Sequence, residues 1–312
     1  GIFSYQIPTQ DKKTQNLAIP DYTRAVELTI DILKQEDLFD KISAIGFKTV
    51  LAKDVTGTVE IDEKVVQAIE EYIPLALVHN TVYLKVINIF RDLISDIPLI
   101  GKFETSFHQE IPPQAHLYGI PYEYYEKYGI RKYGFHGASH EYIAEAATKK
   151  IESNNDNLRI ISCHLGGSSS VCAIKNGVSV DTSMGMSPQS GLLNANRTGD
   201  IDPYAVLYLQ EKEGLSIEEM RDLLGSESGV AGISGIGGDF RDIKEAMENG
   251  NKRAKLAFKT FAYYVRRYIG EYLAVLNGAD AIVFTAGIGV NNPALRQEIL
   301  QDMDNLGIVL DN

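Results

Sequence analysis

The chain lacks a basic excess: 30 Lys and Arg stand against 42 Asp and Glu, a net charge of −12. That excludes a broad face for nucleic acid, which needs many phosphate contacts. An anionic ligand would have to be met locally, by glycine-rich backbone and a few placed cations. Cysteine is nearly absent. Cys163 and Cys172 lie in apolar segments, so they read as small buried hydrophobes in a reducing cytoplasm rather than a disulfide framework. No apolar run reaches the ~20 residues a membrane helix needs, and neither a signal peptide nor a membrane partner is expected. Short tandem repeats are missing, which excludes a solenoid. So are the P-loop pattern and the strand–G-x-G-x-x-G–helix fingerprint, the two commonest nucleotide signatures.

What is present is an α/β pattern on 312 residues, enough for two domains. Helical spacing covers residues 22–35, 63–73 and 82–94, with a buried strand expected over 42–51. A strand over 98–103 delivers Glu104 and His108 at its C-terminal end, where α/β sheets place ligand-binding groups. The tyrosines from Tyr118 to Tyr133 read as core and interface packing, and a helix is expected over 140–151. The polar run from Glu152 to Asn157 is the best boundary, giving domains 1–151 and 152–312. Beyond it come strands over 159–164, 170–174 and 178–182, the last two joined by an Asn176-Gly177 turn. Helices follow over 203–213, 216–224, 239–248 and 251–276, then a strand over 279–285. The apolar face of 251–276 suits a core helix or a dimer seam equally.

Three glycine-rich turns are expected directly after apolar strands: His164-Leu165-Gly166-Gly167-Ser168, Gly235-Ile236-Gly237-Gly238-Asp239 and Gly287-Ile288-Gly289-Val290-Asn291. Glycine lets backbone amides approach a polyanion and point at its oxygens. Three such turns in one half of a chain point to a nucleotide site of another design. Arg197 lies in a polar loop that could aim a guanidinium at an oxyanion, or could pair with Asp200 or Asp202. His136 and His140 share helical spacing, but Gly137 replaces the Glu of H-E-x-x-H, so zinc is disfavoured. Glu104 and His108 read equally as an acid/base pair or as part of a cap with Thr105, and His79 alone reads as a buried structural histidine.

Taken in order, Phe103 to His108, Pro121-Tyr122-Glu123-Tyr124-Tyr125, Tyr133 to His140, His164 to Ser170, Asp181 to Gly185, Arg197-Thr198-Gly199-Asp200 and Phe284 to Gly289 resemble the acetate kinase family, over about residues 42–310. The resemblance implies a two-domain actin/hexokinase-like (ribonuclease H-like) α/β fold with a cleft between domains, usually as a homodimer. It implies direct in-line transfer of the ATP γ-phosphoryl group to acetate, giving acetyl phosphate and ADP, with Mg²⁺. By position, His136 and Arg197 would hold the charge of the group in flight, and Glu104 stands where the family has its catalytic aspartate. Lys48 stands at a carboxylate-binding arginine, and His79 at a histidine near the transferred phosphate. His164, Leu165, Gly166, Gly167 and Ser168, then Asp239, Phe240 and Arg241, then Gly287, Ile288, Gly289, Val290 and Asn291 would receive ATP.

The departures matter as well. Lys48 replaces a planar fork by a point charge, and Glu104 lengthens the carboxylate's reach, so weaker acetate binding is expected. Phe47, Leu51-Ala52-Lys53, Gly167-Ser168-Ser169, Asn194-Ala195-Asn196 and Val290 also differ from the family's wording. Nothing before Tyr22 resembles the family's Asn-x-Gly-Ser-Ser-Ser loop, and the chain stops before its Asn-Glu-Glu motif. The first domain is therefore expected to lack its opening hairpin, the metal ligands to lie outside the chain, and the polypeptide to be a fragment of low activity. Two alternatives accompany this reading: a propionate or other short-chain acyl kinase, and a catalytically silent nucleotide-binding relative.

Overall fold

The computed structural model describes residues 1–7, 10–151 and 157–309. Contacts divide the chain into two compact units, Gly1–Phe103 and Glu104–Asn312. The cut expected at 151/152 falls elsewhere, and most of the polar run proposed as the boundary lies outside the described residues. Residues 104–151 belong with the later sheet because the helix ending at Ile151 packs on it.

In the first unit, β1 (Ile2–Tyr5) and β2 (Lys13–Asn16) form an antiparallel hairpin. Helix α1 (Tyr22–Gln35) starts at Asp21, whose carboxylate accepts the Arg24 N–H and satisfies one orphan amide of the first turn. Strands β3 (Ile45–Thr49), β4 (Thr58–Glu60) and β5 (Leu99–Phe103) form a sheet in the order β3-β5-β4, with β3 parallel to β5. Helices α2 (Glu63–Glu71) and α3 (Leu77–Leu93) supply Ile69 and Ile87 to a core shared with Phe47, Leu99 and Phe103. Val26 and Ile30 of α1 pack with Ile94 in a second cluster.

The second unit opens with α4 (Pro113–His116), α5 (Tyr122–Tyr128) and α6 (Gly137–Ile151). Strands β6 (Arg159–Leu165), β7 (Ser169–Lys175), β8 (Val178–Thr182) and β9 (Ala281–Thr285) form a sheet in the order β8-β7-β6-β9, with β6 parallel to β9. Between β8 and β9 run α7 (Pro203–Glu213), α8 (Ile217–Ser226), α9 (Gly229–Ser234), α10 (Phe240–Glu248) and α11 (Lys252–Leu276). After β9 come α12 (Ala286–Asn291) and α13 (Pro293–Leu300).

The sheet is covered on both faces, which explains the near-continuous apolar character of β6 and β7. Ile161, Cys163, Leu165, Val171 and Ala173 face a core built on Phe258, Phe261, Val265 and Ile269 of α11. Ile160, Cys172 and Ile174 face the other way, onto Ala144 of α6. Of the two expected roles for 251–276, core helix is the one α11 fills here. Both cysteines are free and fully buried.

Three expectations need correction. The Gly235–Asp239 turn follows a helix, α9, not a strand, and Gly287–Asn291 is not a turn but part of helix α12. Arg296 makes that short helix possible by donating to the Gly289 and Val290 carbonyls at its end. The tyrosine stretch is not core either: Tyr122, Tyr124 and Tyr128 on α5 are exposed. Their spacing is helical, but no second face covers them.

Candidate active site

The β6–β7 turn is the hub of the second unit. Its shape is set by local bonds: the Ser169 hydroxyl donates to the Gly166 carbonyl at 2.8 Å, and the Ser169 amide donates to Asn194 Oδ1 at 2.6 Å. The loop carrying Asn194 to Arg197 is fastened to it, since the Ala195 amide donates to Gly167 O at 3.1 Å. Helix α9 braces the loop from behind, through Ser228, Val230 and Ala231 amides on the Asn196, Asn194 and Ala195 carbonyls. Gly229 is required there. Its φ is +68°, and a Cβ would stand 2.3 Å from Asn194 O.

A cavity of about 820 Å³ opens beside this turn, within the size range of ligand pockets. All three glycine-rich segments reach it: Gly166 and Gly167 from the β6–β7 turn, Gly238 to Arg241 from the start of α10, and Gly287, Ile288 and Asn291 from α12. Five further residues assigned to nucleotide do not line it. Leu165 is fully buried in the core, and Gly289 is buried with a Cβ position 3.4 Å from the Leu165 side chain, so both support the wall from behind. Val290 points to solvent at 57% exposure, while His164 and Ser168 are engaged by other side chains. Ala195, Asn196, Lys244, Asn292, Pro293 and Ala294 line the cavity without having been expected. Lys244 could have been found, since it sits one helical turn beyond Arg241 and shares its face.

The glycines of the cavity are not equivalent. A Cβ on Gly238 would stand 2.5 Å from Ala195 O, so that glycine serves packing. A Cβ on Gly167 or Gly287 would meet no heavy atom within 4 Å. Neither has a φ requiring glycine, so the bare backbone there is free for a ligand. Gly167→Val should leave the melting temperature unchanged and weaken nucleotide binding about tenfold or more, read by calorimetric titration. Equal binding by both proteins would refute this use of the cavity.

Asp239 caps α10 by accepting the Arg241 N–H at 2.8 Å and also holds the Arg241 guanidinium. These hydrogen bonds pull its carboxyl down to about 2, so it is ionised at neutral pH. The cavity thus has a fixed anion beside two cations, Arg241 and Lys244.

Arg197 does not pair with Asp200 or Asp202. Asp200 accepts from the Gly191 amide and the Tyr268 hydroxyl, and Asp202 caps α7. Arg197 Nη1 instead donates to Ser168 Oγ at 3.0 Å. Burial lowers its pKa, and a guanidinium stays charged at neutral pH. His136 reaches the same turn: its Nδ1 lies 2.8 Å from Ser170 Oγ. Ser168 and Ser170 are two residues apart, which puts them at most about 7 Å from each other along the chain. The guanidinium and the imidazole therefore converge on one edge of the turn whose glycines line the cavity.

A cluster of imidazoles stands behind His136. His164 stacks on it with ring centroids 4.1 Å apart, and His164 Nδ1 is 2.8 Å from Ser139 Oγ. His140 is fully buried between Ser162 and Ser170, each 2.8 Å from one of its ring nitrogens. Burial, then the neighbouring histidines, hold its pKa well below the usual value. His136 and His140 thus meet through a serine. Among the described residues no group of three or more His, Cys, Asp or Glu could hold a metal ion.

Glu104 follows β5 and is buried at 3% exposure. Its carbonyl accepts the Gly137 amide at 3.0 Å, tying it to the residue after His136. His136 itself has a φ of +58°, a left-handed conformation uncommon outside glycine. His108 is no partner for Glu104 in acid/base work: its ring nitrogens bind Ser179 Oγ and Phe135 O at 2.8 and 2.9 Å, and it is fully buried. No side chain caps the short helical turn after Thr105.

Burial holds the His108 pKa down at about 4, from an ordinary 6.5. Between those values the unfolded chain binds more protons than the folded one, so acid favours unfolding. The histidine's contribution is present above pH 6.5 and lost as pH falls toward 4, up to about 3 kcal/mol. The urea midpoint should fall from about pH 7 to pH 5, and fall less steeply in His108→Asn; parallel profiles would count against the assignment.

In the first unit, Lys48 is exposed on β3 and His79 is half-buried near the start of α3. The neighbouring Asn80 is buried and donates to the Leu51 and Ile69 carbonyls, anchoring that end of α3.

The sequence pattern of the Acetokinase family matches residues 2–312. The chain belongs to the acetokinase family. It is 44% identical to the acetate kinase of Desulfitobacterium hafniense (strain DSM 10664 / DCB-2), an alignment covering all of this chain and 79% of that protein. Among solved structures, Porphyromonas gingivalis acetate kinase superposes with a TM-score of 0.90 at 37% identity, covering 99% of this chain and 79% of the other. A propionate kinase from Francisella tularensis superposes with a TM-score of 0.92 at 34% identity, covering 96% and 78%. The expected actin/hexokinase-like α/β fold class is therefore established, and the family match begins well before the motifs that first suggested it. The chain is a phosphotransferase by family. No helix among the described residues is long and apolar enough to cross a membrane.

Proposed function

We propose that this chain acts as an acetate kinase, transferring the γ-phosphoryl group of ATP in line to the acetate carboxylate, giving acetyl phosphate and ADP. The observation that carries the proposal is the convergence of Arg197 and His136 on Ser168 and Ser170, beside glycines that leave backbone bare toward the cavity. Phosphoryl transfer asks a protein for position and charge stabilisation rather than for a covalent partner.

The nucleotide's base and ribose are assigned to the wall made by Gly238 to Arg241, Lys244 and the α12–α13 segment, and its phosphates to the Gly166–Gly167 turn. Arg197 and His136 then donate to the oxygens of the group in flight. Glu104 supplies the carboxylate of the catalytic-aspartate position. Lys48 and His79 are assigned to the acceptor side by motif position. A Lys48 point charge holds a carboxylate less well than a fork, so weaker acetate binding than in an arginine-bearing relative is part of the proposal. Magnesium would neutralise the phosphate oxygens, and as an ion that takes one or two carboxylates and keeps phosphate and water for the rest it would arrive with the nucleotide.

Exposed Tyr204, Leu207 and Tyr208 on α7, a helix with no buried residue, support a homodimer, which sedimentation of the chain would test. Two free cysteines support a cytoplasmic setting. Hydroxylamine trapping of the acyl phosphate with acetate, propionate and butyrate side by side decides the acceptor. Acetate should give the highest kcat/KM; propionate ahead of acetate would replace the proposal by its neighbour, the propionate kinase.

A further inference from the structure

We propose that Ser170 and His140 are positioning residues that hold His136 as its Nε2–H tautomer, through an oriented chain of hydrogen bonds running from Ser162. The proposal rests on the role given to His136 above, and it comes from counting hydrogens. Ser170 Oγ lies 2.8 Å from His136 Nδ1 and 2.8 Å from His140 Nε2, and Ser162 Oγ lies 2.8 Å from His140 Nδ1. A serine hydroxyl carries one hydrogen and can donate it to only one of two flanking imidazoles. A neutral imidazole likewise has one N–H and one bare nitrogen.

His140 is neutral, because it is fully buried among His108, His136 and His164 and its pKa is held well below the usual value. With the Ser170 hydrogen given to one of its two imidazoles, the chain can run in two directions. In one, His140 donates from Nδ1 to Ser162, Ser170 donates to His140 Nε2, and His136 Nδ1–H donates to Ser170; a neutral His136 is left with a bare Nε2. In the other, Ser162 donates to His140 Nδ1, His140 Nε2–H donates to Ser170 Oγ, and Ser170 donates to His136 Nδ1; the His136 proton then sits on Nε2. Only the second direction gives a neutral His136 a donor for an anionic phosphoryl group, since its Nδ1 is committed to Ser170.

The arrangement is rigid at both ends. Ser162 and Ser170 face each other's neighbours across the antiparallel β6–β7 pair, with Cys172 opposite Ser162 and His164 opposite Ser170. Ser162, Ser170 and His140 are each fully buried. As long as Ser170 gives its hydrogen to one of these two imidazoles, reversing the His136 tautomer reverses both serines and His140 with it. Neither Ser162 nor His140 needs to touch substrate for this.

The test is ¹⁵N NMR of the imidazoles in the full chain labelled at histidine, near pH 7.5. Wild type should show His136 and His140 both protonated at Nε2. Ser170→Ala should give His136 a mixture of tautomers and lower kcat about tenfold or more with the ATP dissociation constant unchanged. Ser170→Thr, which keeps the hydroxyl, should restore the single tautomer. His136 protonated at Nδ1 in wild type, or a spectrum unmoved by Ser170→Ala, would overturn the proposal. The expected tautomers in a chain that forms no acyl phosphate would support the relay and refute the function proposed above.

Discussion

Arg197→Ala should lower kcat for acyl phosphate formation by about 10²–10³-fold while the ATP dissociation constant changes by less than about threefold. The asymmetry comes from where the side chain is held. Arg197 does not line the cavity; its guanidinium reaches Ser168 of the β6–β7 turn. Ground-state nucleotide is assigned to the cavity, whereas the guanidinium is assigned to the charge that builds up as the phosphoryl group leaves. Half-burial strengthens that interaction, because water screens it less. Arg197→Lys keeps the charge but loses the planar fork, so it should recover only part of the loss. Steady-state kinetics with a separate equilibrium titration reads both quantities. A variant that lost ATP affinity and kept kcat would move Arg197 from the transferring group to the resting nucleotide.

Gly137→Ala should be among the most damaging single methyl groups in the second unit. The added Cβ would stand 2.0 Å from Glu104 O, the atom that accepts the Gly137 amide, and 3.2 Å from the Phe107 side chain. Real Cβ atoms do not approach backbone oxygen so closely, so either the start of α6 or the segment after β5 must move. Glu104 lies on one side of the contact and His136 is the residue before Gly137, so the displacement reaches both. Overpacking of this kind costs about 1–3 kcal/mol or more, a fall of several degrees in melting temperature. kcat should fall with it. Gly167→Ala, where a Cβ meets nothing, is the matched control and should melt with wild type. If Gly137→Ala melted with wild type, the tie between Glu104 and the start of α6 would be refuted.

The sequence carried the sheet of the second unit well, because β6 and β7 are covered on both faces and their apolar runs are nearly unbroken. Asp21, Asp62, Asp202, Ser216 and Asp239 each accept an amide at a helix start, which is why those helices begin within one residue of where the sequence places them. The glycine segments were legible as a set, but not as shapes. Glycine weakens a helix in general, yet α12 holds Gly287 and Gly289 because Arg296 satisfies its last carbonyls. Similarly, α6 begins three residues before its expected start, since Gly137 is there for a close approach to Glu104 that no pattern along the chain reveals.

The two compact units part after Phe103 rather than at the polar run for a related reason. Polar composition marks a surface segment, whereas the division after Phe103 is a matter of pairing: β5 belongs to the sheet of β3 and β4, while the helical segments between Glu104 and Ile151 pack on β6 and β8. The imidazole and serine cluster was invisible because its members lie on α6, β6 and β7, and only antiparallel pairing brings Ser162 and Ser170 to the same histidine. Positions singled out by motif behaved in three ways. Gly166, Gly167, Asp239, Phe240, Arg241, Gly287, Ile288 and Asn291 meet at one cavity, whereas Leu165 and Gly289 pack behind it. His164 and Ser168 join the side chains of His136 and Arg197 at its edge.

The most direct test of the account is acetate-dependent ADP release by the chain, measured with hydroxylamine-trapped acyl phosphate in the same reaction. The account predicts the two products in equal amounts, both abolished without acetate and both reduced at least a hundredfold in Arg197→Ala. ATP bound with wild-type affinity but no acetate-dependent ADP or acyl phosphate would contradict it.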